Sequence, residues 1–302
     1  MPRLHSEFFF GPGRVGPSEG EGRTALAARR DRGYDRAAMP PQESPSPRRA
    51  LVPHEHGAWG QMVLSLASGL GLGRFTGSAL LLALAVVLLF IAHEPLLVSL
   101  GHRGERLWQS EGARALRWAA ALGALALAAG AAGIGFAPPA ARPWALPPLA
   151  LAAAVAWLSF RRSEKTVAGE IAVACAFASA AGLVARAGLA EGRVALALVL
   201  AWIISFAAAT LAVQAVLLRA RTRGGRDPRA THGTGVALLW ASAVALASAG
   251  LPATVPVAVS PTLLLSLCVC LVPVSARRLR LLGWALVGSS LLTLVVLVAG
   301  LR

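Results

Sequence analysis

Apolar residues run along this chain in long segments that are separated by short polar stretches rich in arginine. Segments of about 17–25 residues match the length of a transmembrane helix. Three prolines in the eighth segment, Pro256, Pro261 and Pro273, predict a helix that is broken or kinked. The pattern predicts an all-α, polytopic transmembrane helical bundle of about nine spans, near residues 57–75, 77–100, 116–136, 144–160, 167–185, 194–218, 234–251, 255–275 and 281–301.

The composition supports an integral membrane protein. Hydrophobic residues make up 56% of the 302 residues and charged residues only 14%, too few to solvate a globule of this size. Residues 51–302 therefore form the predicted transmembrane domain. Residues 1–50 are rich in Arg, Pro, Gly, Ser and Glu without apolar periodicity, and we predict a disordered tail. Met39 is an alternative start to Met1, which would remove most of that tail.

The basic residues predict the orientation in the membrane. The connections after the second, fourth, sixth and eighth segments contain 15 Lys and Arg residues, whereas the opposite connections and the C-terminus contain five. Cytoplasmic loops carry the excess of Lys and Arg, so we expect an inner (plasma) membrane protein with a cytoplasmic N-terminus and an external C-terminus. The formal charge of +15 does not indicate nucleic-acid binding, because the basic residues are divided between the tail and alternate loops.

Polar side chains gather at the predicted cytoplasmic ends of the spans. His-Glu-His precedes the first span, His-Glu-Pro lies near the end of the second, and a Glu lies just inside the fifth. Ionisable groups are costly in hydrocarbon and commonly mark functional sites. We therefore predict a cytoplasm-facing polar pocket lined by His54, His56, His93, Glu94, Glu164, Glu170 and Gln214.

Two of these motifs have alternative interpretations. Pro95 has no N–H to donate to the Ile91 carbonyl, so His93 and Glu94 either line a cavity beside freed backbone or mark a helix end at the interface. Glu170 is either a functional carboxylate inside the span or an interfacial residue that the helix N-terminus stabilises. His93, Glu94 and Glu170 are the candidate catalytic residues if the protein is an enzyme.

The basic loops raise the possibility of an anionic ligand. Arg103, Arg106 and Arg219 lie closest to the spans and are candidates for binding a phosphate or diphosphate; topology signalling and lipid headgroups explain the same residues without a ligand. His54, Glu55 and His56 could bind a metal or haem together with His93 or Glu94. No His-x-x-x-His pair lies on any span, so no metal or cofactor is assigned. Cys175, Cys268 and Cys270 are predicted to be small apolar residues.

Four motifs together resemble the YwiC-like family of bacterial membrane proteins. They are His56-Gly57-Ala58-Trp59, His93-Glu94-Pro95, Glu164-Lys165-Thr166 with Glu170, and the region of Arg219. This resemblance covers about residues 51–302 and implies no particular activity. The layout is also similar to that of the UbiA-type intramembrane prenyltransferases. Their two Asp-rich motifs, which hold magnesium and a prenyl diphosphate, have no counterpart here, because Asp227 is the one Asp outside the tail.

The sequence thus predicts a membrane protein that binds or modifies a lipid-like or anionic head group from the cytoplasmic leaflet. A non-catalytic assembly factor fits the same residues. A transporter is a further alternative, although polar groups confined to one half of the membrane do not favour alternating access. A divergent UbiA-like prenyltransferase is the third alternative.

Overall fold

The computed structural model describes residues 51–53, 56–163, 166–221, 229–272, 274–275 and 278–302. Within these residues the chain folds into nine α-helices and one 3-10 helix. The α-helices are α1 (His56–Leu72), α2 (Gly77–Ser99), α3 (Glu105–Phe136), α4 (Leu146–Phe160), α5 (Val167–Ala187), α6 (Gly192–Arg221), α7 (Arg229–Ser248), α8 (Thr254–Leu271) and α9 (Leu279–Leu301); the 3-10 helix is Pro139–Ala145, between α3 and α4.

Each of the nine predicted segments has a helix in the structure, and seven helical stretches are long and apolar enough to cross a membrane. One of the seven is α4 together with the 3-10 helix before it (Pro139–Phe160). The two other α-helices are α1, which has 17 residues, and α7, whose first two turns contain the polar stretch Thr231-His232-Gly233-Thr234. The expected all-α, multi-pass membrane architecture is therefore confirmed.

The core lies around α5 and α6. Of their most apolar stretches, 56% and 61% are buried, whereas α4 buries only 11% and α3 only 17%. Small residues allow close approach in the core: a Cβ on Gly69 of α1 would lie 2.5 Å from the Ala181 carbonyl oxygen of α5. Ser65 is fully buried on the same helix, and Gly73 contacts the end of α5, so the ridge formed by Ser65, Gly69 and Gly73 is a packing surface.

Hydrogen bonds between helix termini show which termini lie together at each end of the bundle. Thr76, which caps the start of α2, donates from its hydroxyl to the Ala187 carbonyl at the end of α5 (3.0 Å). Arg302 donates from Nε to the Gly71 carbonyl at the end of α1 (2.8 Å). At the other end lie the starts of α1, α5 and α9 and the ends of α2, α4 and α6. We call it the polar end, because His93, Glu94, Glu170 and Gln214 all lie towards it.

Two details of the sequence prediction were wrong. Helix α3 starts at Glu105, eleven residues before the predicted span, so Arg106, Arg114 and Arg117 belong to a helix and not to a loop. The predicted break in α8 was also wrong, since the helix continues from Thr254 through Pro261 to Leu271, and the alternative of a kink stays a prediction. Pro273 lies outside the described residues.

The connection from α2 to α3 is a short turn. Gly101 has a φ of +72° and follows the C-cap Leu100. The N–H of Gly101 donates to the Val98 carbonyl and that of His102 to the Leu97 carbonyl, which is the Schellman arrangement for ending a helix. Gly104, at φ +104°, then precedes α3. Two glycines in the left-handed region thus explain why α3 can begin so soon after α2.

Candidate polar site

Three aromatic rings connect the helices that carry the predicted motifs. Trp59 of α1 contacts Phe90 of α2 edge-on, with ring centroids 4.8 Å apart. Phe90 contacts Phe177 of α5 in the same way at 5.7 Å. The indole N–H of Trp59 donates to the carbonyl of the buried Pro53 at 3.0 Å, which holds the chain before α1 against this aromatic cluster. The cluster joins the His-Gly-Ala-Trp, His-Glu-Pro and Glu170 regions of the sequence.

The candidate carboxylates lie between this aromatic cluster and the polar end. Glu94 is four residues beyond Phe90 on α2, and Glu170 is seven residues before Phe177 on α5. Spacings of four and seven residues keep a side chain on nearly the same helix face. Glu94 is therefore about 6 Å, and Glu170 about 10 Å, closer to the polar end than the rings, at 1.5 Å per residue.

Glu94 is held in an ion pair with Arg103. The Arg103 side chain reaches back from the α2–α3 turn and donates from Nε to Oε1 (2.9 Å) and from Nη2 to Oε2 (2.5 Å). The Glu94 side chain is 13% exposed and that of Arg103 is 32% exposed. Such two-point contact between guanidinium and carboxylate is among the stronger charge-assisted interactions in proteins.

Glu170 occupies the first turn of α5, and its functional role stays a prediction. Thr166 caps the helix by accepting from the Gly169 N–H at 3.1 Å, and Glu170 follows where the helix dipole favours a carboxylate. Gln214 of α6 donates from Nε2 to Glu170 Oε2 at 3.2 Å, and both side chains are partly buried. An amide without charge is thus the contact that α6 provides to this carboxylate.

The three candidate arginines have different surroundings. Arg106 is exposed in the first turn of α3. Arg219 of α6 is partly buried and donates from Nη1 to the Val269 (2.9 Å) and Val272 (3.1 Å) carbonyls and from Nη2 to the Cys270 carbonyl. Arg219 therefore caps the end of α8, a role that the sequence analysis missed. The general signal for it is a basic side chain close to the C-terminus of a neighbouring helix. Anion binding by these arginines stays a prediction.

The remaining predicted residues extend the polar site only in part. His93 is partly buried on α2, next to Glu94. His54 and Glu164 lie outside the described residues, and His56 is described only as the first backbone position of α1. Among the described residues, no group of three or more His, Cys, Asp or Glu side chains is arranged to hold a metal ion. An open depression of about 390 Å³ lies at the opposite end, lined by residues that include Thr76, Ser78 and Leu189.

Comparison with known proteins identifies a family. Residues 52–186 match the family model described as YwiC-like protein, which confirms the predicted family over α1 to α5. The matched region contains the aromatic cluster, the Glu94–Arg103 pair and Glu170, and it ends before Gln214 and Arg219. No curated protein and no solved structure matches the chain.

Proposed function

We propose that this YwiC-like membrane protein binds the anionic head group of a lipid-like ligand at its polar end. The observation that carries this proposal is the arrangement of polar groups below the aromatic cluster of α1, α2 and α5. Towards the polar end, α2 carries Glu94, which binds Arg103 of the following turn, and α5 carries Glu170, which binds Gln214 of α6. Bundles commonly build ligand sites from side chains on facing helices near one end.

Glu94 and Glu170 would have different roles. The guanidinium of Arg103 compensates the charge of Glu94, so this pair would shape the site and add positive charge near a bound head group. The described hydrogen bond of Glu170 to another helix comes from the neutral amide of Gln214. Glu170 is therefore the better candidate to accept or release a proton, with His93 as the second. Arg106 would contribute positive charge at the entrance.

The proposed orientation places the polar end in the cytoplasm. The connections at this end include Arg103, Arg161 and Arg162 and most of the other basic loop residues, as the positive-inside rule expects. A lipid-like ligand would then enter from the cytoplasmic leaflet. The N-terminus would lie in the cytoplasm and the C-terminus outside.

The proposed topology has nine membrane crossings in a layout like that of the UbiA-type enzymes. Helix α1 has 17 residues but runs parallel to α5, with Gly69 against Ala181 and Gly73 against Ala185, and so covers nearly the same depth. Helix α7 extends along α8 from Gly233, which lies near Leu271, to the turn that precedes Thr254. Magnesium-dependent prenyl transfer is not proposed, because the described carboxylates form no cluster that could hold the metal.

Native mass spectrometry of the purified full-length protein tests this proposal. We expect a co-purifying lipid-like adduct in the wild type that is reduced at least tenfold in Glu170→Gln. Glu191→Gln is the matched control, since Glu191 is an exposed carboxylate at the opposite end of α5 and α6. Equal adduct occupancy in both variants, with both proteins folded, would contradict the proposed site. A wild type without any adduct after extraction into lipid nanodiscs would contradict the proposed function.

A further inference from the structure

Four tryptophans of the described residues are exposed, and three of them lie further along the helices than the α2–α3 turn. The fourth, Trp108 (45% exposed), lies in the first turn of α3, beside Gly101 and Gly112. Trp118 of α3, Trp157 of α4 and Trp284 of α9 are 50%, 58% and 63% exposed. These three indole rings are not buried between helices of the bundle. Trp59, Trp144 and Trp202, by contrast, pack against the core. We call Trp118, Trp157 and Trp284 the Trp belt.

Helix contacts show that Trp118 lies at the depth of Glu170. A Cβ on Gly133 of α3 would lie 2.8 Å from Leu82 of α2, and one on Gly130 would lie 3.7 Å from Ala85. Continuing this antiparallel register places Trp118 opposite Leu97. Phe90 contacts Phe177 on α5, and the register of α2 and α5 then places Leu97 level with Glu170.

The other two tryptophans are found at the same depth by independent contacts. Trp157 lies three residues before the end of α4 and Glu170 three residues after the start of α5, on either side of one short connection. Helix α9 runs parallel to α1, with Val287 against Gly60 and Val298 against Gly71, so Trp284 is level with Gly57. The contact of Gly69 with Ala181 places Gly57 level with Gly169, the neighbour of Glu170.

Each tryptophan of the belt has an arginine one helical turn closer to the polar end. The partners are Arg114 for Trp118, Arg161 for Trp157 and Arg280 for Trp284, each four residues away. The Arg161 guanidinium carbon lies 4.9 Å from the centroid of the Trp157 ring, a cation–π contact. Arg114 is paired with Glu111 at 3.0 Å. Towards the opposite end, the same helices expose aliphatic side chains such as Leu127 and Val295.

We infer that the Trp belt lies in the headgroup layer of the bilayer and fixes the depth of the polar site there. Amphipathic indole rings are favoured at the membrane–water interface, and basic side chains one turn beyond them meet lipid phosphates. The distance along α5 from Glu170 to its last residue, Ala187, is about 25 Å, which is close to the thickness of the hydrocarbon layer. Glu170 then lies at the headgroup level, and Glu94 about 4–5 Å deeper. This inference holds whether or not the site binds a ligand.

Spin-label depth measurements test the inference in the full-length protein. Cys175, Cys268 and Cys270 are replaced by Ala, and Trp118→Cys, Trp157→Cys and Trp284→Cys are labelled one at a time in phosphatidylcholine–phosphatidylglycerol liposomes. We expect the three labels to lie within about one helical turn of one another, near the lipid phosphates. Leu127→Cys and Val295→Cys are matched controls from the same helices, expected about 13–16 Å deeper.

The neighbouring exposed positions Leu116, Phe160 and Leu281 provide a second set of labels if replacement of a tryptophan prevents folding. These labels are expected at the phosphate level or on its aqueous side. A belt label as deep as Leu127 would overturn the inference. Depths of the three belt labels that differ by more than half the hydrocarbon thickness would also overturn the inference.

Discussion

The guanidinium of Arg103 binds both carboxylate oxygens of Glu94, nine residues earlier in the chain, at 2.9 and 2.5 Å. The contact is possible because Gly101 and Gly104 turn the chain back at the end of α2. It joins two residues that the sequence analysis had placed in separate roles, one as a proton carrier and the other as an anion ligand. The polar site is therefore pre-organised by its own ion pair.

Replacing Arg103 is expected to destabilise the protein by leaving a mostly buried carboxylate without its partner. We expect Arg103→Ala to lower the free energy of unfolding by about 1–3 kcal/mol. Arg103→Lys should recover only part of this loss, since an ammonium cannot form the two-point contact. Denaturation in mixed micelles measures both variants.

Two further variants make the Arg103 measurement specific. Arg106→Ala removes a neighbouring exposed arginine and should change stability little. Adding Glu94→Gln to Arg103→Ala should restore stability, because the unpaired charge is gone. Additive losses in that double variant would contradict the role assigned to the pair.

Close packing of α1 on α5 predicts that Gly69 cannot carry a side chain. The Cβ of Gly69→Ala would lie 2.5 Å from the Ala181 carbonyl oxygen, and the backbone would have to move. We expect a loss of about 1–3 kcal/mol in the free energy of unfolding. Gly123→Ala on α3 is the matched control, since nothing lies within 4 Å of its Cβ. Glycine weakens a helix interior, so the control should be neutral or stabilising by up to about 1 kcal/mol. Equal effects at the two positions would refute the close contact.

Arg162 should be replaceable by glycine with a gain in stability. It has a φ of +56° at the end of α4, where its N–H donates to the Ser159 carbonyl and that of Ser163 to the Leu158 carbonyl. A side chain in this left-handed conformation costs about 1–2 kcal/mol. We expect Arg162→Gly to raise the free energy of unfolding by about 1 kcal/mol. The opposite substitution, Gly250→Ala, places a side chain at a φ of +103° and should lower the free energy of unfolding. A loss of stability in Arg162→Gly would show that another contact of Arg162 outweighs the backbone strain.

Trp202 and Ser68 provide a buried hydrogen bond between α6 and α1. The indole N–H donates to Ser68 Oγ at 2.7 Å, and neither side chain is exposed. Ser68→Ala should lower the free energy of unfolding by about 1–3 kcal/mol, because the N–H loses its acceptor. Adding Trp202→Phe to Ser68→Ala should cost less than the two single losses together. Additivity of the two losses, measured by the same denaturation, would mean that the bond contributes nothing.

The helices could be predicted from the sequence because apolar segments of membrane length have few alternatives. Hydropathy could not predict the start of α3, because its first three turns are largely polar; the turn at Gly101 and Gly104 allows this helix to begin directly after α2. In the eighth segment, Pro256 lies in the first turn of α8, where a missing N–H is tolerated, whereas Pro261 lies inside the helix, which continues past it to Leu271.

The candidate site was predictable only as a set of residues on one side of the membrane. Its contacts depend on how the helices pack: Trp59, Phe90 and Phe177 come from three helices, and nothing in their spacing indicates that they meet. The same is true of Gln214 and Glu170, which are 44 residues apart. Arg219 was predicted as a ligand for anions, whereas its observed contacts are carbonyls at the end of α8.

Cysteine accessibility in intact cells tests the central claim most directly, namely that the polar groups of several helices form one hydrated site on one side of the membrane. His93→Cys and Glu170→Cys are introduced singly into a variant without native cysteines, with Glu191→Cys at the opposite end as control. We predict that a membrane-impermeant maleimide labels Glu191→Cys in intact cells and the other two only after the membrane is permeabilised. Labelling of His93→Cys and Glu170→Cys from opposite sides, or of both from outside, would contradict the account.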